Sequence, residues 1–287
     1  VKGLVRPLLK AAARSYAAGE TIDEALAVAR MAHARGYATT LCYWHDQAAP
    51  AEQVAAEYLR LIDRLDGGRL SAHLSVKIPG LGNRADLVQR VIAAARDRNI
   101  PVDLDSHAPE QADDVIAAIE AVGSDDLGIA IPGRWRKSVD MARWAAGKGL
   151  RVRIVKGEWP DPGAPDIDPG AGYRAVMEAL AGHSREVSVA THNPLLARDC
   201  FARLAATGTP HVQELLYGYP MDAAVAEARQ AGVATRIYIA YGHAWVPYAI
   251  KRVLKQPKVA WWLARDLASG RRDGLPAPAL STGKAVS

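Results

Sequence analysis

The sequence predicts an α/β protein, a (β/α)8 TIM-type barrel with N-terminal helices and a C-terminal helix over the barrel mouth. Three observations predict it. Eight short β-branched or apolar runs recur along the chain. Each is followed by an Ala-rich segment with helical periodicity. The runs end on polar or titratable residues, as the carboxyl ends of barrel strands do. The length, 287 residues, suits one barrel of about 250 residues with short extensions.

The elements follow in order. Leu4–Ala18 reads as a helix and Thr21–Arg35 as a second, opened by the capping box Thr21/Glu24 and stopped by Gly36. The strand runs are Ala38–Asp46, Ala72–Gly80, Pro101–His107, Leu127–Gly133, Arg151–Trp159, Glu186–Asn193, His211–Gly218 and Thr235–Gly242. Between them, Ala51–Leu65, Arg84–Asp97, Glu110–Val122, Val139–Lys148, Tyr173–Ala181, Pro194–Ala206 and Met221–Gln230 carry apolar residues at helical spacing. A last helix starts near Trp245 and passes Lys255, and Trp261–Asp266 forms a short one. The division is therefore 1–36 as helices packing on the barrel, 37–267 as the barrel, and 268–287 as a flexible tail of Gly, Pro, Ala and Ser.

Composition narrows the function. Apolar residues make up 49% of the chain, enough for a large core, although Phe201 is the single phenylalanine. The net charge of +5 is spread among carboxylates without a basic block. That argues against nucleic acid as the partner and suits an anionic cofactor or a small-molecule substrate. Cys42 and Cys200 are the two cysteines, with no CxxC pair, which fits a reducing, cytoplasmic setting. No signal-type or membrane-length apolar run is present, so no stable membrane insertion is expected.

The run RVRIVKGEW, Arg151–Trp159, is the most informative. Val152, Ile154 and Val155 suit a buried strand, yet Arg153 lies inside it and Lys156 then Gly157 close it. Buried cations are costly without a partner, so an anionic or electron-rich ligand is expected there, with Gly157 allowing close approach. The plain alternative is pairing with neighbouring carboxylates. Other strands end similarly: His45 and Asp46; Lys77; Asp105, Ser106 and His107; Thr191, His192 and Asn193; Glu214 and Tyr217; Tyr238 and Tyr241. On the last helix, Tyr248, Lys251, Arg252 and Lys255 share one stripe. That stripe is either a solvated basic face or, over the barrel mouth, a carboxylate or phosphate clamp.

The motifs SVKIPGLG, DLDSH, RVRIVKGEW, ATHN, ELLYG, RIYIAYG and WVPYAIKR, in this order from Ala38 to Pro257, resemble the FAD-dependent proline dehydrogenase family. The resemblance implies a flavoenzyme oxidising a C–N bond of proline or a related amino or imino acid by hydride transfer to flavin N5. It places Arg153 at the flavin N5 region, with Ser106 also on the cofactor. Lys156, Gly157 and Glu158 fall at the ribityl and phosphate part. Thr191, His192 and Asn193 fall at the phosphates or adenine. Asp105 and Lys77 form an ion pair under the ring, Lys77 also nearing the substrate carboxylate. Lys251 and Arg252 clamp that carboxylate, and Tyr238 and Tyr248 wall the substrate. The electron acceptor, oxygen or a quinone, is left open.

Four positions depart from the family pattern. Lys251 stands for an arginine, Glu158 for a small alanine, Pro132 for a glutamine, and Lys255 for a glutamate. Lysine gives a point charge instead of a two-pronged donor. Glu158 either meets a cationic group on the substrate or neutralises Lys251. Two alternatives follow. One is a barrel of the same ancestry without flavin redox chemistry, acting on or binding another amino-acid-derived ligand. The other is a metal-dependent lyase or hydrolase built on His45, Asp46, Asp105, His107, His192 and His243. No HxH or HExxH spacing supports that set, and no metal is expected.

Overall fold

The computed structural model describes residues 18–65, 70–106, 108–123, 126–162, 165–245 and 274–278. The helix expected at Leu4–Ala18 falls, but for Ala18, outside them. So do His107, Tyr248, Lys251, Arg252, Lys255 and the final helices beyond Trp245.

Eight parallel strands close into one barrel in sequence order. They are β1 (Ala38–Tyr43), β2 (Ala72–Lys77), β3 (Val102–Asp105), β4 (Leu127–Pro132), β5 (Arg151–Val155), β6 (Glu186–Val189), β7 (His211–Leu216) and β8 (Thr235–Tyr241). The helices are α1 (Ile22–Ala34), α2 (Ala51–Arg64), α3 (Ala85–Arg96), α4 (Ala112–Val122), α5 (Ser138–Gly147), α6 (Pro169–Leu180), α7 (Pro194–Ala206) and α8 (Asp222–Gln230). Thr21 and Glu24 form the capping box that starts α1.

The strands are shorter than the apolar runs suggest. After Lys77, residues Ile78–Leu81 turn into a 3-10 helix, since Pro79 has no N–H for a ladder. After Val155, Gly157 takes φ +86°, which ends β5 before Lys156.

The strands alternate. Leu41, Leu74, Val76, Leu104, Ile129, Ile131, Val152, Ile154, Val187, Val189, Leu215, Ile237 and Ile239 are buried apolar residues that belong to one continuous core with the helices. The other face fills the barrel interior, and there the usual branched apolar layers give way to charge. Lys77, Arg151, Arg153 and Arg236 face Asp103, Asp105, Glu186 and Glu214, joined by Ser75 and Ser188. The two signs balance, as burial of so many charges demands.

The described part of the C-terminal segment, residues 274–278, is docked on the barrel. Leu275 is buried, Arg35 donates to the Leu275 and Pro276 carbonyls at 3.2 and 3.3 Å, and Arg229 donates to Ala277 and Pro278 at 2.7 Å. Tyr37 Oη also donates to the Ala277 carbonyl. These contacts lie beside the amino ends of β1 and β8, the opposite end from the polar strand termini. Among the described residues no helix is long and apolar enough to cross a membrane.

Candidate active site at the strand carboxyl ends

Lys77 closes β2 and Asp105 closes β3, and the two are register partners. Lys77 Nζ donates to Asp105 Oδ2 at 3.1 Å. The ammonium also lies 4.7 Å from the Trp44 ring centre, a cation–π contact beyond the end of β1. The Lys77 main-chain N–H donates to Tyr58 Oη at 3.1 Å, so α2 fixes the strand end on which the ammonium stands.

Arg153 reaches the same carboxylate from across the barrel. Its Nη2 donates to Asp105 Oδ2 at 3.2 Å and to Ser75 Oγ at 3.1 Å, while Nη1 lies 3.7 Å from Glu214 Oε1. Tyr238 offers its ring 4.8 Å beneath the guanidinium and donates its hydroxyl to Ser75 Oγ at 3.3 Å. Burial pushes Arg153 down. Glu214, then Tyr238, Asp105 and Asp103, outweigh it and hold the guanidinium charged. The Tyr238 phenol is pushed up by burial, so it stays a neutral donor. Cys42, on β1, is buried and its thiol is likewise pushed up by burial, which makes it unreactive.

Below this layer, Asp103 meets His73 Nδ1 at 3.4 Å and Arg151 Nε at 3.7 Å. Burial would raise its carboxyl, but His73, Arg151 and Arg153 together hold it well below the usual carboxylate range. His45 is pushed down by burial and by the Lys77 charge. Its ring fills the space over Gly80, where a Cβ would lie 2.3 Å from His45 Cε1.

The sequence-predicted residues divide. Lys77, Asp105, Arg153 and Tyr238 converge. Ser106 is half-buried beside Asp105. Lys156 follows the strand end and is exposed, so of Arg153 and Lys156 only Arg153 is buried. The missing side chain of Gly157 makes room for protein: a Cβ there would lie 2.9 Å from Pro132 Cβ and 3.1 Å from Arg134 Cβ. The glycine serves a turn packed on the neighbouring loop. Glu158 has an exposed side chain, and its carbonyl accepts from Arg134 Nη1 at 2.8 Å. That arginine also pairs with Asp166, and Trp135 Nε1 donates to the Trp159 carbonyl at 2.9 Å. The loops after β4 and β5 are thus tied into one wall.

The side chains of the ATHN stretch have protein partners of their own. His192 Nε2 accepts from the Leu216 N–H at 3.0 Å, which assigns the proton to Nδ1, and Nδ1 meets the Pro220 carbonyl at 3.0 Å. The imidazole braces the end of β7 and has no N–H left for a phosphate. Asn193 caps α7, its Oδ1 accepting from Leu195 N at 3.1 Å, and Thr191 Oγ1 accepts from Asn193 N at 3.2 Å. These side chains are committed to starting a helix at Pro194.

Ser75, Trp44 and Glu214 have no assigned role in the sequence reading. Ser75 was findable: it precedes Lys77 by two residues and so shares its face. For the metal alternative, no three His, Cys, Asp or Glu side chains among the described residues converge on a metal position.

No protein-family model matches the chain. The proline dehydrogenase of Deinococcus radiodurans is 22% identical over 293 aligned positions, covering 94% of this chain and 94% of the relative. Proline dehydrogenase 1 of Bacillus subtilis is 22% identical over 275 positions, covering 89% and 90%. The structure of proline utilization A from Bdellovibrio bacteriovorus inactivated by N-propargylglycine aligns with TM-score 0.76 at 17% identity, over 99% of this chain but 37% of that longer one. Proline utilization A from Corynebacterium freiburgense aligns with TM-score 0.71 at 16% identity, over 98% and 35%. These structures share the barrel. End to end in sequence the chain is similar to these proline dehydrogenases, and the barrel is the fold it shares with the solved structures.

Proposed function

We propose that the protein is an FAD-dependent dehydrogenase that oxidises the C–N bond of proline or a closely related amino or imino acid. The observation that carries this reading is the Lys77–Asp105–Arg153 cluster over Tyr238 at the carboxyl ends of β2, β3, β5 and β8. It joins the strand-end position of barrel active sites to the end-to-end similarity with the named dehydrogenases.

The residues present suit a flavin at one end and less at the other. Arg153 has Nη2 bound to two acceptors and Nη1 hydrogen-bonded to no described protein group, so a donor remains for an electron-rich ring. The exposed Lys156 ammonium suits a phosphate. His192 and Asn193, already engaged with backbone groups, do not add to that grip.

A bound flavin would supply the two-electron acceptor for the hydride. The protein's part is position and charge. Arg153 keeps a fixed positive charge where negative charge develops, and needs no reorganisation to do so. Lys77, held by Asp105 and Trp44, presents a second cation suited to a substrate carboxylate. Tyr238 supplies an aromatic wall whose hydroxyl is tied to Ser75. Lys251, Arg252 and Tyr248 complete the substrate side of the reading, Glu158 remaining the candidate for a cationic substrate group.

The test is an absorbance spectrum of the purified protein before and after incubation with FAD, followed by proline-dependent reduction of an artificial acceptor dye. Flavin bands and dye reduction are the expected results. Colourless protein that takes up no FAD overturns the reading.

A further inference from the structure

Glu214 lies on β7 with its side chain 1% exposed, and Oε1 is 3.7 Å from Arg153 Nη1. Neither carboxylate oxygen accepts a hydrogen bond from a described protein group. A pair built for stability brings charged groups to hydrogen-bond distance and saturates their lone pairs. This one does neither. What Glu214 adds is charge. Without it, Lys77 and Arg153 share a single counter-ion, Asp105. With it, two cations face two anions. The cations deeper in the barrel already have their own partners. Arg236 meets Glu186 at 3.5 Å and donates to Ser188 Oγ at 3.2 Å, and Arg151 donates to Asp126 Oδ1 at 2.5 Å.

We propose that Glu214 is a positioning and charge-setting residue: its carboxylate steadies Arg153 and offsets its charge, and so lowers the reduction potential of a flavin bound against that guanidinium. The proposal rests on the flavin reading above. A hydride delivered to a bound flavin adds one negative charge at the ring. A fixed carboxylate in the same water-poor interior disfavours that gain, because charges there are poorly screened. Glu214 thereby keeps the site from holding electrons too tightly to pass them on.

The test is the midpoint potential of the FAD-loaded protein at fixed pH, with thermal unfolding to verify the fold. Glu214→Gln keeps the shape and removes the charge, and a positive shift is expected. Glu214→Asp withdraws the charge by one methylene and is expected to shift the potential the same way but less. Glu186→Gln, two residues before Ser188 and paired with Arg236, removes a charge at the amino end of the barrel, where the side chain is 27% exposed, and should shift it less than Glu214→Gln. If Glu214→Gln does not fold, the Glu214→Asp shift decides. An unchanged or lowered potential in the loaded Glu214 variant overturns this assignment alone, as does a shift no larger than that of Glu186→Gln. Wild-type protein that takes up no FAD overturns the flavin reading and this proposal together.

Discussion

Lys77 and Asp105 stand directly opposite each other at the ends of adjacent parallel strands, and their side chains meet at 3.1 Å. The register itself builds the ion pair. A slip of one residue would turn either side chain to the helix-facing side. The same carboxylate oxygen then receives Arg153 from two strands away at 3.2 Å.

Asp105 is therefore the keystone of the charge cluster. Asp105→Ala leaves two buried cations without their shared acceptor, and a loss of about 3–5 kcal/mol in unfolding free energy is expected. Asp105→Asn should retain more stability than Asp105→Ala, because the amide oxygen still accepts one hydrogen bond. Urea unfolding of both variants checks the order.

Arg153→Lys replaces a planar fork by a point charge that cannot bind Asp105, Ser75 and a ring acceptor at once. Loss of one charge-assisted hydrogen bond, about 1.5–3 kcal/mol, corresponds to FAD binding weaker by roughly 10- to 100-fold. Titration of apoprotein with FAD measures it. Unaltered affinity would separate the cofactor from this strand.

Gly157→Ala places a Cβ at φ +86° and 2.9 Å from Pro132 Cβ. Strain and contact together should cost about 1–3 kcal/mol. The thermal midpoint should fall, and FAD affinity of the folded fraction should change little, since the space is occupied by protein. A large affinity loss without destabilisation would return Gly157 to the ligand side.

His192→Ala removes both backbone braces of the β6–β7 corner. Unfolding free energy should drop by about 1–3 kcal/mol as the Leu216 N–H and Pro220 carbonyl lose their partner. Folded variant should take up FAD as wild type does. A binding defect without a stability defect would make His192 a phosphate ligand after all.

Asp103 predicts an acid limb. Its folded-state carboxyl is held below the unfolded value, so the unfolded chain binds more protons as pH falls. The stabilisation is fully present above the unfolded value, about pH 4, and is lost as pH falls through the folded one. Asp103→Asn should lower stability at neutral pH and flatten its decline below about pH 4. Thermal midpoints between pH 2 and 7 check both arms.

The barrel and the residues gathered at its strand ends were legible from local pattern. Lys77, Asp105, Arg153 and Tyr238 stand out because each is a polar residue at or near a strand's carboxyl end, and the fold gathers such ends. Gly157, His192 and Asn193 carry structural contacts that the local pattern does not reveal. A turn glycine, a bracing imidazole and a helix cap use the same residue types as a ligand cradle, and only their partners distinguish them. The partners of Ser75 and Glu214 are not marked by anything nearby in sequence: Arg153 and Ser75 are 78 residues apart.

By itself the sequence determined the strand count, the βα order and which residues stand at the strand ends, since period-two and period-3.6 patterns are local. It also pointed to a buried charge at Arg153, which lies between the apolar Val152 and Ile154. Only the tertiary structure decided which carboxylate answers which cation. Closure of β8 onto β1 sets distances between strands remote in sequence, and at a few ångströms those distances determine whether a charge is balanced, braced or left to face a ligand.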